Sequence, residues 1–196
     1  DIGVLGEGER TLAELCREHE LDAVDLKCQY ELSQDYGCTG CVPLSLLADL
    51  GLVAGCEGDI PTTVTQAMLA LLTGEVTTYG DLLDWEDGEA VISPCGYAPF
   101  SLCGQKPKIR NFTHPGFTGV MTSATLKDGT VTLARFTQTA DGNRMQVLTG
   151  ETVPTEPRQG RFPAARLRIH TDLEAIMEHI GSQHYAYCYG DQRENL

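Results

Sequence analysis

The sequence has a single Trp, and aromatic side chains make up only 7% of it. It is also short of positive charge: 14 Lys and Arg stand against 28 Asp and Glu, a formal net charge of −14. Nucleic acid and anionic membranes both need a basic face, so neither is expected as a main partner. No apolar run approaches the roughly 20 residues of a membrane-spanning helix. The opening residues, DIGVLGEGER, lack the basic start and apolar stretch of a signal peptide, which points to a cytoplasmic protein. No GxGxxG or P-loop is present, and neither Ser93 nor Ser101 sits in a GxSxG turn. There is no internal repeat and no low-complexity tract. Apolar residues at 41% and charged residues at 21% are ordinary for a globular chain, so a disordered acidic tail is excluded. A length of 196 residues allows one large or two small domains, each with a core.

The eight cysteines are too sparse for a disulfide-stapled scaffold, and without a secretory signal they read as reduced, mostly buried thiols. Cys38-Thr39-Gly40-Cys41 is a CxxC at the start of a helix-like run. Structural zinc would need a second pair at similar spacing or a His pair. Cys95 and Cys103 are eight apart, and no HxxxH follows. A CxxC metal or redox protein stays open as an alternative.

Along the chain, roughly the first 75 residues alternate strand, turn and helix. Thr11–His19 has helical spacing, and Leu21–Cys28 alternates like a strand. Pro43 opens a helix that Gly51 ends. Val53–Cys56 is a short apolar strand. Asp59 or Thr62 can cap the next helix, whose expected buried stripe is Val64, Met68, Leu71 and Leu72. The second half changes period. Asp87-Gly88 predicts a hairpin. Gly119–Leu126, Thr130–Thr137 and Arg144–Thr149 predict a three-strand meander. Thr171-Asp172 caps a late helix, and Gln183–Tyr189 is a final strand. The expected fold is therefore α/β plus β: a partial α/β domain over residues 1–74, then a β-rich C-terminal domain over residues 75–196 that forms an antiparallel barrel-like sheet with a few helices. The chain begins without Met and stops soon after the last strand, which reads as a piece of a longer protein.

Glu57 follows a strand, in a turn with Gly55 and Gly58 on either side. Carboxyl ends of strands are where α/β units place ligands. Asp81 begins the β-rich half, and His184 begins the last strand. Two carboxylates and an imidazole would suit Mn²⁺ with open positions for substrate. Spacing alone favours solvated turn carboxylates and an ordinary strand histidine over such a site. Arg110, Asn111 and His114 are loop candidates for contact with a ligand.

Cys56-Glu57-Gly58-Asp59, the helix ending Leu71-Leu72-Thr73-Gly74, and Thr78-Tyr79-Gly80-Asp81 together resemble the C-terminal part of the L-fucose isomerase and L-arabinose isomerase families. Asp25–Glu31 and Cys41–Ser45 look like the preceding strand and helix of those proteins, and Gln183–Asp191 is similar to their closing segment. The resemblance implies a Mn²⁺-dependent aldose–ketose isomerase that works through an enediolate. It implies Glu57, Asp81 and His184 as metal ligands, with Glu57 and Asp81 also catalytic, and a homo-oligomer in the full-length protein. The arabinose branch has a further His where Ser93-Pro94-Cys95-Gly96 stands here, which favours the fucose-type site. The substrate-binding residues and the sugar are not readable. A non-catalytic sugar- or metal-binding fragment, inactive without its N-terminal domains, is the alternative.

Overall fold

The computed structural model describes residues 7–114 and 117–196. The first half contains α1 (Glu7–Glu18), β1 (Ala23–Leu26), α2 (Glu31–Tyr36), α3 (Cys41–Asp49), β2 (Val53–Cys56) and α4 (Ile60–Thr73). β1 and β2 pair in parallel, Ala23 beside Val53 through Leu26 beside Cys56. A parallel pair needs a long crossover, and α2 and α3 supply it. Leu44, Leu47 and Ala48 of α3 then pack with Ala54 and Cys56 of β2 and with Tyr79 and Tyr97 from further along the chain.

The second half contains β3 (Thr78–Glu86), β4 (Glu89–Ser93), β5 (Lys108–His114), β6 (Phe117–Ser123), β7 (Thr130–Thr139), β8 (Gly142–Val153), β9 (Ala165–Ile169), α5 (Leu173–His179) and β10 (His184–Tyr189). Six of these strands form an antiparallel sheet in the order β10-β3-β4-β9-β8-β7, and β7 pairs again with β10, so the sheet closes on itself as a barrel. Its interior holds Ile92, Val131, Leu133, Leu148, Leu167, Tyr185 and Tyr187, all nearly inaccessible. Each such side chain contributes about 1.5–3 kcal/mol by leaving water. The mixed α/β and antiparallel architecture is thus the observed one.

Several expectations hold at the level of local chemistry. Asp59 caps α4 by accepting a hydrogen bond from the Thr62 amide at 3.1 Å, and Gly74 closes that helix at φ 70°. Asp87 (φ 52°) and Gly88 (φ 77°) turn the β3–β4 hairpin. Asp172 caps α5 through the Ala175 amide.

Three expectations fail. The expected first strand is not part of the meander: β7 pairs with β8 and β8 with β9, whereas β6 turns back onto β5. Arg110 and Asn111 accordingly lie on strand β5, not in a loop. His114 ends that strand, and its side chain lies outside the described residues. On α4, Val64, Met68, Leu71 and Leu72 face outward, while Thr62, Thr63, Thr65, Gln66 and Leu69 face the protein. The reason is the surface that α4 meets. It lies on small residues of the barrel wall, Ala134, Ala186 and Cys188, which admit Leu69 closely. Nearby backbone groups need polar partners. Phe136 N donates to Thr65 Oγ1 at 3.0 Å, and Gln66 Nε2 donates to the Ala54 carbonyl at 3.3 Å.

Candidate active site

β2 ends at Cys56, and the next residue, Glu57, has a left-handed backbone at φ 72°. A non-glycine residue rarely adopts that conformation, and where it does the surroundings must enforce it. Here the Gly58 amide donates to Asp25 Oδ1 at 2.9 Å and Thr63 Oγ1 donates to Asp25 Oδ2 at 2.5 Å. The end of β1 thereby clamps the turn that carries Glu57. Asp81 and His184 are placed by strand pairing. They are direct neighbours across the β3–β10 ladder, so their side chains leave the sheet on one face.

The three side chains meet at a single nitrogen. His184 Nε2 lies 3.0 Å from Asp81 Oδ1 and 3.5 Å from Glu57 Oε2. The other ring nitrogen, Nδ1, is 2.7 Å from Asp59 Oδ2. Arg135 Nη1 donates to that same Asp59 oxygen at 2.6 Å and also to Thr62 Oγ1. Gln183 Nε2 donates to Asp81 Oδ1 at 3.0 Å. The edge of the Tyr79 ring packs against the imidazole with centroids 5.6 Å apart.

This arrangement sets the charges. Hydrogen bonds to Asp59 and then Asp81 push the His184 pKa up to about 10, against the opposing effect of burial. Burial disfavours ionised Asp59, but His184, Arg135 and the Thr62 amide outweigh it and hold that carboxyl well below its usual range. Glu57 moves the other way: burial raises its pKa, with the Asp81 charge adding to the effect. An imidazolium N–H therefore occupies the place between the two carboxylates where a cation would bind.

In donor type Glu57, Asp81 and His184 suit a hard divalent ion, although among the described residues the one set of three donors lying within 4.8 Å of one another is Cys56, Glu57 and Cys95. Two carboxylates and one imidazole are the right donors. Asp59 at Nδ1 orients the ring and leaves Nε2 for the ion, as the outer carboxylate of a metal-bound histidine does. Neither Cys38 nor Cys41 belongs to the set formed by Cys56, Glu57 and Cys95. Cys38 is exposed, whereas Cys41 is buried.

The largest described cavity, about 650 Å³ between β8 and α5, contains none of these residues. A cavity of about 300 Å³ is the relevant one, because Asp81 lines it beside Cys95. Phe112, Arg158, Arg161 and Phe162 form part of its remaining wall.

Sequence reasoning gave Asp59 only a capping role and did not find Arg135 or the cavity arginines. The signal for Arg135 was a lone charge within the β-branched run Thr130–Thr137. No such signal marks Arg158 and Arg161, which lie in a Pro- and Gly-rich connector.

The chain is 32% identical over 187 residues to proteins named sulfoquinovose isomerase from Priestia aryabhattai and Priestia megaterium. That match covers 92% of this chain and 42% of each relative. A protein of the same name from Alkalicoccus urumqiensis is 28% identical over 195 residues, covering 94% of this chain and 43% of its own length. The chain thus spans about two fifths of the length of the curated relatives it matches. No protein-family model matches it. No helix among the described residues is long and apolar enough to cross a membrane.

Proposed function

We propose that this chain is the C-terminal portion of a cytoplasmic, Mn²⁺-dependent aldose–ketose isomerase. The observation that carries this reading is the convergence of Glu57 and Asp81 on His184 Nε2 while Asp59 holds Nδ1. The likeness to proteins named sulfoquinovose isomerase supports it independently. In this reading residues 1–74 complete a central α/β domain and residues 75–196 form the C-terminal domain of a homo-oligomer. The substrate is a free aldose of the L-fucose kind or a related sugar, sulfoquinovose being the one the relatives are named for.

Glu57, Asp81 and His184 would hold the ion. Once bound, a divalent cation would supply the positive charge that an enediolate needs on its two oxygens. The proton work falls to the carboxylates. Aldose–ketose interconversion takes a proton from C2 and returns one at C1, which suits a partly buried carboxylate within reach of both carbons. The Glu57 and Asp81 side chains are 19% and 18% exposed. Burial strengthens Glu57 as a base by raising its pKa. Asp81 is held in place by Gln183 and by the strand ladder. His184 acts as a ligand, and Asp59 fixes its tautomer.

The test is calorimetric titration of Mn²⁺ into the full-length protein and its Glu57→Gln variant, with ketose formation assayed over a panel of aldoses. Affinity should fall at least about tenfold in the variant, and chelation should abolish turnover. Equal affinity in the two proteins would sink the assignment. A second reading, a fragment that binds without catalysing, draws on the fraction of its relatives that the chain spans. Turnover by the full-length protein but not by this chain alone would favour it.

A further inference from the structure

The chain is strongly acidic, yet its positive charges are not evenly spread. Five of its 14 Lys and Arg, namely Lys106, Lys108, Arg110, Arg158 and Arg161, line the Asp81 cavity or the smaller cavity beside it. The two cavities share the segment 156–162 and the strand β5, on which Lys108, Arg110 and Phe112 alternate onto one face. The opposing carboxylates are few. Asp81 is committed to His184, Glu156 lines the smaller cavity, and Asp84 pairs with Arg158 only at 3.5 Å. Arg161 has no carboxylate partner among the described residues. Its guanidinium stands over the rings of Phe112 and Phe162, 5.3 and 5.1 Å from their centroids. Two aromatic faces orient that group and shield one side of it from water, leaving its N–H edge for a ligand.

We propose that Arg161, assisted by Arg158, is an anion subsite at the mouth of the Asp81 cavity and selects sugars that carry a tetrahedral oxyanion away from the reacting carbonyl. This deepens the isomerase reading and rests on it. The chemistry is that of a sulfonate or a phosphate ester: three oxygens and negative charge, matched by a planar fork of donors. The carboxylates of Glu57 and Asp81 would repel such a group, so the cationic mouth also fixes which end of the sugar enters first. A cavity of about 300 Å³ is at the small end of the range for small-molecule sites and suits one monosaccharide.

The experiment uses the full-length protein with Mn²⁺ and three aldoses of one stereochemistry: sulfoquinovose, glucose 6-phosphate and glucose. Wild type, Arg161→Lys and Arg161→Gln are compared by KM and kcat, after thermal melting has confirmed that each variant is folded. Wild type should prefer an anionic sugar, and the sulfonate and phosphate arms show which anion. Arg161→Gln should raise KM for that sugar about 10- to 100-fold, with kcat little changed and a far smaller change in KM for glucose. Arg161→Lys should recover part of the loss. A wild-type preference for glucose, or an equal loss on charged and uncharged sugars, overturns the subsite. If no aldose is turned over, the isomerase reading fails by itself. The subsite is then judged by calorimetric binding of sulfoquinovose to wild type and Arg161→Gln: weaker binding to the variant supports it, and equal affinity overturns it.

Discussion

At His184 one imidazole faces three carboxylates, and its protonation state follows from them. The ring accepts and keeps a proton because Asp59 and Asp81 both hydrogen-bond to it, which raises its pKa to about 10 from an ordinary value near 6.5. A histidine whose folded pKa is raised binds more protons folded than unfolded. Its stabilising contribution is complete below about pH 6.5 and is lost as pH rises toward 10. The metal-free protein should therefore lose stability between pH 6.5 and 8, below the range where unfolded thiols and phenols titrate. The slope should stay under the one-proton limit of about 1.4 kcal/mol per pH unit, because the site is partly wet. Urea unfolding of the metal-free protein and of His184→Gln at several pH values checks this. The wild-type slope should be steeper than the variant's, and parallel slopes would refute the assignment. Of this arrangement, the sequence made the proximity of Glu57, Asp81 and His184 legible, because each lies in a recognisable motif: Glu57 just after β2, Asp81 within β3 and His184 at the start of β10. The second role of Asp59 was not legible, because a helix cap and a histidine partner look the same in Glu-Gly-Asp.

On α4, polarity and position are inverted relative to the usual amphipathic helix. The expected stripe of Val64, Met68, Leu71 and Leu72 points outward, with Leu71 88% exposed, while Leu69 is fully buried on the barrel wall. Hydrophobic periodicity identified the helix correctly but chose the wrong face. Period reports which residues share a side, not whether the facing surface wants apolar or hydrogen-bonding partners. The same limit explains β5 and β6. Asp128-Gly129 has the chemistry of a hairpin turn, yet the strand before it pairs backward with Lys108–His114, a run whose mixed charge hides its alternation. The face assignment has a direct mutational consequence. Leu71→Gln should change the stability of this chain by no more than about 0.5 kcal/mol. Leu69→Ala should cost about 2–4 kcal/mol, because it removes buried methyl groups and leaves a cavity against Ala134 and Ala186. Urea midpoints of the two variants decide the matter, and a larger loss from Leu71→Gln would mean that the outward face is packed.

Over the whole molecule, the candidate site exists only when the chain is fully folded. Glu57 comes from the β2–α4 turn of the first half, Asp81 from β3 and His184 from β10. β10 is the last strand in the sequence, and it closes the barrel by pairing with β3 on one edge and β7 on the other. His184 therefore faces Asp81 only after ring closure, and both face Glu57 only when the Asp25 clamp has seated the turn against the barrel. An unfolded chain cannot present these three donors together, so an ion held by them binds the native state alone. Such binding stabilises by mass action, about 2.7 kcal/mol at a metal concentration 100 times Kd. For a chain of this size that corresponds to a rise in Tm of roughly 5–10 °C. Melting curves with Mn²⁺, with chelator and with metal restored should show the rise, its loss and its return. In Glu57→Gln the rise should fall to about half or less at the same metal concentration, because a tenfold weaker affinity leaves only about 1.4 kcal/mol of mass-action stabilisation. An equal rise in that variant would place the bound metal elsewhere on a surface with 28 carboxylates, and Glu57, Asp81 and His184 would lose their assignment together.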